Sequence, residues 1–257
     1  MEPLEVARGV WVFTSRIMHT TTTVVAGEPT SGGRAALLVD PAWEPDELVA
    51  MADWLERTGL TVVAGWATHA HYDHVLWHPR FGAAPRYATP ETARRAREQQ
   101  RLLVTGLGPD WPADLAPLVG DVVALAGDRI PWDGPVVRVV EHRAHARGHG
   151  ALWVEDAGVL VAGDMLSDVE IPIPDDEGLA GYLAGLDALE PFVREAAILV
   201  PGHGSVADRA AADTPIGRLE QDRGYLDRLR GGARDSRLRD APDWLRDQDE
   251  RNRDWLT

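Results

Sequence analysis

The chain has 257 residues, of which 44% are hydrophobic and 26% charged, and its formal net charge is −15. That length suits one domain or two small ones with a sizeable core, and the acidic balance argues against a broad phosphate-backbone footprint, so no nucleic-acid partner is expected. There is no cysteine and every one of the 26 basic residues is an arginine, which excludes disulfides, thiolate nucleophiles, cysteine-ligated metals and lysine Schiff-base chemistry.

The start, Met1 to Glu5, is acidic and lacks an apolar signal core. No apolar run approaches the ~18 residues of a membrane span, so a cytoplasmic protein with no membrane partner is expected. Val10–Phe13 and Thr20–Val25 are β-branched and aromatic and read as strands. A turn cluster, Gly27 to Gly33, separates them from a buried strand, Ala35–Val39, which ends at Asp40-Pro41. Asp40 there is either a turn former or a hydrogen-bonding partner behind a ligand histidine. Glu44 to Thr58 carries Leu48, Met51, Ala52 and Leu55 at helical spacing, and Gly59 stops it. Thr61–Ala67 is an apolar run that reads as a further buried strand.

Directly after that strand comes His69-Ala70-His71-Tyr72-Asp73-His74, three imidazoles and a carboxylate within six residues. Such a donor set suits zinc, iron or manganese. Were the chain extended here, His69, His71 and Asp73 would lean one way and His74 the other, which suggests two metals rather than one.

Pro85–Ala88 is a short strand candidate, and Thr89-Pro90 opens a helix with Thr89 as N-cap and Pro90 at the first helical position. The stretch 102–119 mixes apolar residues with Gly106, Gly108, Pro109, Pro112 and Pro117. It is either a packed surface loop or a flap in which Trp111, with Trp77, walls the substrate site. Val122–Leu125, Pro135–Val140, Ala151–Val154 and Val159–Ala162 are four strand candidates. Gly178 to Glu195 reads as a helix, Ala197–Val200 as a strand, and 206–231 and 242–256 as terminal amphipathic helices. No linker divides the chain, so a single domain over 1–257 is expected, with C-terminal helices in about 206–257. The element order predicts an α/β protein with mixed sheets.

His-x-His-x-Asp-His after a strand resembles the signature of the metallo-β-lactamase superfamily. Three later positions resemble the rest of its pattern in order: His145 in Arg143-Ala144-His145-Ala146, Asp164 after the strand Val159–Ala162, and His203 in Pro201-Gly202-His203-Gly204. Ala144 and Ala146 stand where the family usually has Gly and Thr, and His142 and His149 are neighbours outside the pattern. The resemblance implies a four-layer αβ/βα sandwich of two mixed β-sheets flanked by helices. It also implies one metal on His69, His71 and His145, another on Asp73, His74 and His203, and Asp164 as the bridge. A single catalytic zinc takes about three protein ligands, so seven donors match two cations about 3.5–4 Å apart.

The activity implied is that of a dinuclear hydrolase with two divalent metal ions, zinc by expectation, and a metal-bridging hydroxide that attacks an ester, thioester, lactone or related bond of a small-molecule substrate. Asp73 would orient that hydroxide and move a proton. The stretch Thr68 to His74 is similar to glyoxalase II and lactonase-like members, with Leu76 where they often have Gly. Ala70 disfavours an iron redox member, which has Glu there. His203 follows Asp164 by only 39 positions, which disfavours the nucleic-acid-processing members that carry a large inserted domain there. An iron dioxygenase acting on a persulfide and a non-catalytic metal- or ligand-binding protein are the alternatives. The sequence does not speak to oligomeric state.

Overall fold

Along one strand, Arg34–Val39, the side chains of Leu37 and Val39 enter one apolar cluster while Ala36 and Leu38 enter another. The same alternation recurs in Val159–Gly163, where Val159 and Val161 face one cluster and Leu160 and Ala162 the other. Strands covered on both faces read as continuous apolar runs, and two such sheets with helices outside make four layers.

The computed structural model describes residues 2–174, 177–229 and 235–255. One sheet has seven strands in the order β1 (Leu4–Ala7), β2 (Val10–Thr14), β3 (Thr21–Ala26), β4 (Arg34–Val39), β5 (Leu60–Trp66), β6 (Arg86–Ala88) and β7 (Val123–Ala124). Its first four are antiparallel, and β4 to β7 are parallel. The other sheet runs β12 (Ala207–Asp208), β11 (Ile198–Pro201), β10 (Val159–Gly163), β9 (His149–Val154) and β8 (Val137–His142), with only the β10–β11 pair parallel. Helices α1 (Pro45–Arg57) and α2 (Pro90–Gly106) accompany the first sheet, and α3 (Gly178–Glu195), α4 (Pro215–Leu229) and α5 (Asp243–Asp254) the second. The expected sandwich of two mixed sheets flanked by helices is the fold observed.

The local signals explain most boundaries. Thr89 caps α2 by accepting from the Thr92 amide at 3.2 Å, with Pro90 behind it. Glu44 and Glu47 form a capping box at the start of α1. Where the structure departs from expectation, the cause is local. The first five residues of 102–119 belong to α2, whose Arg, Glu and Gln content hides its period. The terminal helix begins at Pro215 rather than 206, because Ala207–Asp208 pairs with β11 first. The ends of the two expected terminal helices, 230–231 and 256, lie outside the described residues. Trp77 is no part of a substrate wall: it is buried, packs edge-on against Phe81 at 5.4 Å and lies beneath the Arg86 guanidinium.

The two sheets meet along one edge. The Thr21 amide donates to the Gly202 carbonyl at 2.7 Å and its hydroxyl to the Pro201 carbonyl. The ends of β4, β5, β8, β10 and β11 therefore open onto the same place.

Candidate metal centre

Each of the seven sequence-derived positions follows a strand end at that edge. The stretch after β5 supplies His69, His71, Asp73 and His74, the β8–β9 connection His145, the end of β10 Asp164 and the turn after β11 His203. Strand ends are rigid, and the residues beyond them are free of ladder hydrogen bonds, so their side chains converge without distorting either sheet.

They fall into two groups. His69, His71, His145 and Asp164 offer donor atoms within 4.8 Å of one another, and so do Asp73, His74 and His203. His71 Nδ1 lies 2.9 Å from His69 Nε2 and 3.1 Å from His145 Nε2. Asp73 Oδ2 lies 3.2 Å from His203 Nε2 and 3.4 Å from His74 Nε2. Asp164 stands between the groups. Its Oδ2 is 3.4 Å from His69, 3.3 Å from His145 and 3.4 Å from His203, while its Oδ1 is 3.1 Å from His74. The strand parity expected for residues 69–74 does not survive. The His74 amide donates to the His71 carbonyl, so the chain turns and Asp73 joins His74 rather than His69 and His71.

His71 is exposed and Tyr72 half-buried, whereas His69, Asp73, His74, His145 and His203 are buried and Asp164 keeps its side chain almost wholly covered. Solvent therefore reaches the cluster past His71 and Tyr72. Trp43 lies edge-on to Tyr72 at 5.4 Å, and Gly106 at the end of α2 leaves room for the Tyr72 ring. A cleft of about 730 Å³ at the other end of the sandwich, beside Gly9, Arg34 and Asp156, shares no residue with the cluster. Chemistry rather than volume marks the site.

A further layer holds the donors in place. Asp40 accepts from the Thr68 amide at 2.8 Å, from the Thr68 hydroxyl at 2.6 Å and from His74 Nδ1 at 2.9 Å. His203 Nδ1 is 3.1 Å from the Met18 carbonyl and 3.2 Å from the Thr20 hydroxyl. His142 and His149 face each other across the β8–β9 ladder and stack at 4.4 Å, and His149 stacks in turn on His69 at 5.0 Å. These two histidines touch the cluster's rear without joining either group.

One residue of the cluster has no counterpart among the sequence-derived positions. Glu170, buried in the loop after Asp164, forms a third group with Asp164 and His203. No family motif or strand end flags it. The signal available was a carboxylate six positions beyond Asp164 in an apolar context.

The charges are strongly coupled. Burial alone would depress His74 and His203, but Asp164, aided by Asp73 and Asp40 at the first and by Glu170 at the second, raises both well above the usual imidazole range. Burial alone would raise Asp73 and Asp164, but His74 and His203 hold both well below the carboxylate range. Burial drives His69 down, and neighbouring His74 adds to it. Burial also lowers His145 to about 4 and pushes Glu170 up to about 7. Several buried polar atoms in the cluster, His74 Nε2, His145 Nδ1 and Asp164 Oδ1, have no hydrogen-bond partner. Buried groups of this kind are normally paired or coordinate a metal, so the donor set fits divalent cations.

Comparison with known proteins agrees with this geometry. The family model of the metallo-beta-lactamase superfamily matches residues 18–203. The chain belongs to that superfamily. A hydroxyacylglutathione hydrolase of Thermosynechococcus vestitus is 31% identical over 143 residues, which cover 54% of this chain and 46% of that enzyme. The chain thus aligns with less than half the length of that relative. Among solved structures, a beta-lactamase domain protein from Burkholderia ambifaria superposes with a TM-score of 0.67 at 21% identity, over 89% of this chain and 78% of that one. A metallo-beta-lactamase family protein from Thermus thermophilus gives 0.64 at 22% identity, over 88% and 82%. Both share the metallo-β-lactamase fold. No helix among the described residues is long and apolar enough to cross a membrane.

Proposed function

We propose that this metallo-β-lactamase superfamily member is a dinuclear metal-dependent hydrolase of a small ester, thioester or lactone. The observation that carries the reading is Asp164. One buried carboxylate lies 3.1–3.4 Å from imidazoles of both donor groups and leaves Oδ1 without a hydrogen bond. His69, His71 and His145 would hold one cation, Asp73, His74 and His203 the other, and Asp164 would bridge. The imidazole-rich first group favours zinc. When bound, such a pair of cations acidifies a water to near neutrality and withdraws charge from the bond under attack.

The chain's own residues do the rest. Asp40 fixes the protonated nitrogen of His74 as Nδ1, which leaves Nε2 free to donate its lone pair. The Asp73 carboxylate lies between His74 and His203, 3.4 and 3.2 Å from them, where it could orient the attacking water and take up its proton. Tyr72 and Trp43 form an aromatic rim beside the entrance, suited to the apolar part of a small substrate. Thioesters lead the candidate list because the relative from Thermosynechococcus vestitus is named hydroxyacylglutathione hydrolase.

The test is elemental analysis of the purified full chain, followed by turnover of a panel of esters, thioesters, lactones and phosphodiesters. Two divalent ions per chain with hydrolysis of a panel member supports the proposal. One iron, no zinc and no hydrolysis would transfer the reading to oxygen chemistry, and no metal at all would leave a binding protein.

A further inference from the structure

Beyond the seven donors, Glu170 is a further buried carboxylate that reaches the cluster. It is 8% exposed and offers an oxygen within 4.8 Å of donor atoms on Asp164 and His203. A buried charge needs a counter-charge or a metal. Neighbouring Arg237 does not supply one: it commits one nitrogen to the Glu170 backbone carbonyl at 2.8 Å and to Asp222, and its remaining bonds go to Asp235 and the Ser167 carbonyl. The Glu170 carboxylate faces His203 and Asp164, whose own Oδ1 is buried without a hydrogen bond, 3.1 Å from His74 Nε2.

The backbone is built to hold Glu170 there. The Ser167 hydroxyl accepts from the amides of Val169 and Glu170 at 3.1 and 3.0 Å and donates to the His203 carbonyl at 2.8 Å. Leu166, with φ of 62°, takes the left-handed conformation that turns the chain back towards the site. Arg218 donates to the Leu166 carbonyl at 3.1 Å and to the Ser205 carbonyl at 3.2 Å. Ser167 and the buried Arg218 therefore tie the Glu170 loop to the His203 turn, while Arg237 ties it to Asp222 and Asp235.

We propose that Glu170 is an eighth metal-site donor, a carboxylate ligand to the cation held by Asp73, His74 and His203, and that it biases this second position towards a harder ion. The inference rests on the dinuclear reading above. With Glu170 included, the second position has three carboxylates, Asp73, Asp164 and Glu170, against two imidazoles. The first has three imidazoles against the shared Asp164. Oxygen-rich donor sets favour manganese, and imidazole-rich ones favour zinc. The structure thus assigns the two positions different preferences, with manganese or iron competing with zinc at the second.

Chelator-stripped full chain is titrated separately with Zn²⁺ and with Mn²⁺, by calorimetry and by equilibrium dialysis with elemental analysis, as wild type and as Glu170→Gln. The substitution keeps the size of the side chain and removes its charge. Wild type is expected to bind two ions. Glu170→Gln should leave the tighter Zn²⁺ affinity unchanged and weaken the second ion at least ~10-fold, a loss typical of a missing metal-site partner, more for Mn²⁺ than for Zn²⁺. Melting temperature supplies an independent readout. The rise in melting temperature on adding Mn²⁺ should be smaller for the variant than for wild type. If the variant binds both ions with wild-type affinity, or melts lower without metal and binds normally, Glu170 is structural and the assignment is overturned. If wild type itself binds no second ion, the dinuclear reading fails with it.

Discussion

Nδ1 of His74 donates to Oδ2 of Asp40 across 2.9 Å, joining the turn after β5 to the end of β4. Asp40 adopts φ of 47°, which a short polar side chain tolerates better than most. The same carboxylate takes both Thr68 donors, so one residue sets the tautomer of His74 and the entry of the histidine stretch. Asp40→Ala should lower affinity for the second cation by ~10–100-fold, in line with losses of partners behind metal ligands. It should also cost about 1–3 kcal/mol for the buried donors left unpaired. Chelator competition reads the first quantity and denaturant unfolding the second. Unchanged metal affinity would show that His74 is not held for a metal.

Asp164→Ala and His145→Ala should behave alike, losing at least one metal and nearly all hydrolysis while the metal-free chain still folds. His149→Ala should differ. It leaves both donor groups intact but removes a ring stacked between His69 and His142, so a loss of ~2 kcal/mol or more from the cavity is expected, with a milder loss of metal. Metal content and melting temperature across the three variants separate these outcomes. An empty site in His149→Ala beside a full one in His145→Ala would move the assignment by four residues.

Acid should destabilise the metal-free protein partly through His142. Burial lowers its pKa from 6.5 to about 3 in the folded state. The unfolded chain therefore binds a proton that the folded chain refuses. This contribution to stability is thus fully present above about pH 6.5, and it is lost as pH falls from there towards 3. Across that window the effect is on the order of a few kcal/mol. His142→Gln should flatten the acid limb of the stability curve, measured by urea unfolding between pH 7 and 4 in the presence of a chelator. An unchanged slope would mean that His142 takes its proton in the folded state too.

At the entrance, a methyl group on Gly106 would lie 2.7 Å from Cδ1 of Tyr72. Gly106→Ala should displace the Tyr72 ring and raise KM several-fold on the best substrate of the panel, while two ions remain bound. A variant with normal KM would remove Tyr72 from the substrate rim.

How far the sequence revealed this architecture varied with the kind of signal. His69 to His74 were legible because four donors crowd into six residues after an apolar run, and Asp164 and His203 because each follows another such run. The grouping of Asp73 with His74 and His203 came from the family resemblance and matches the structure, whereas strand parity alone would have put Asp73 with His69 and His71, because a turn forms between His71 and His74. Glu170 carries no local pattern, and its place depends on Ser167 in its own loop and on Arg218 and Arg237 acting from distant segments. Trp77 looked like a wall residue because it lies so close to the motif in the chain. Its neighbours in space, Phe81 and Arg86, draw it into the core instead. β1 and β12, at four and two residues, are too short to stand out from their surroundings.

Arg218 and Arg237 grip the carbonyls of residues 166, 167 and 170, yet both lie beyond the stretch 18–203 that the family shares. Should Glu170 hold a cation as proposed, the segments after position 203 would act as a remote adjusting screw. A relative with the same seven residues at these positions could then differ in ion preference by altering the residues after position 203. Comparing the seven donor positions alone would then sort such proteins together, and residue 170 and the segments that hold it would tell them apart.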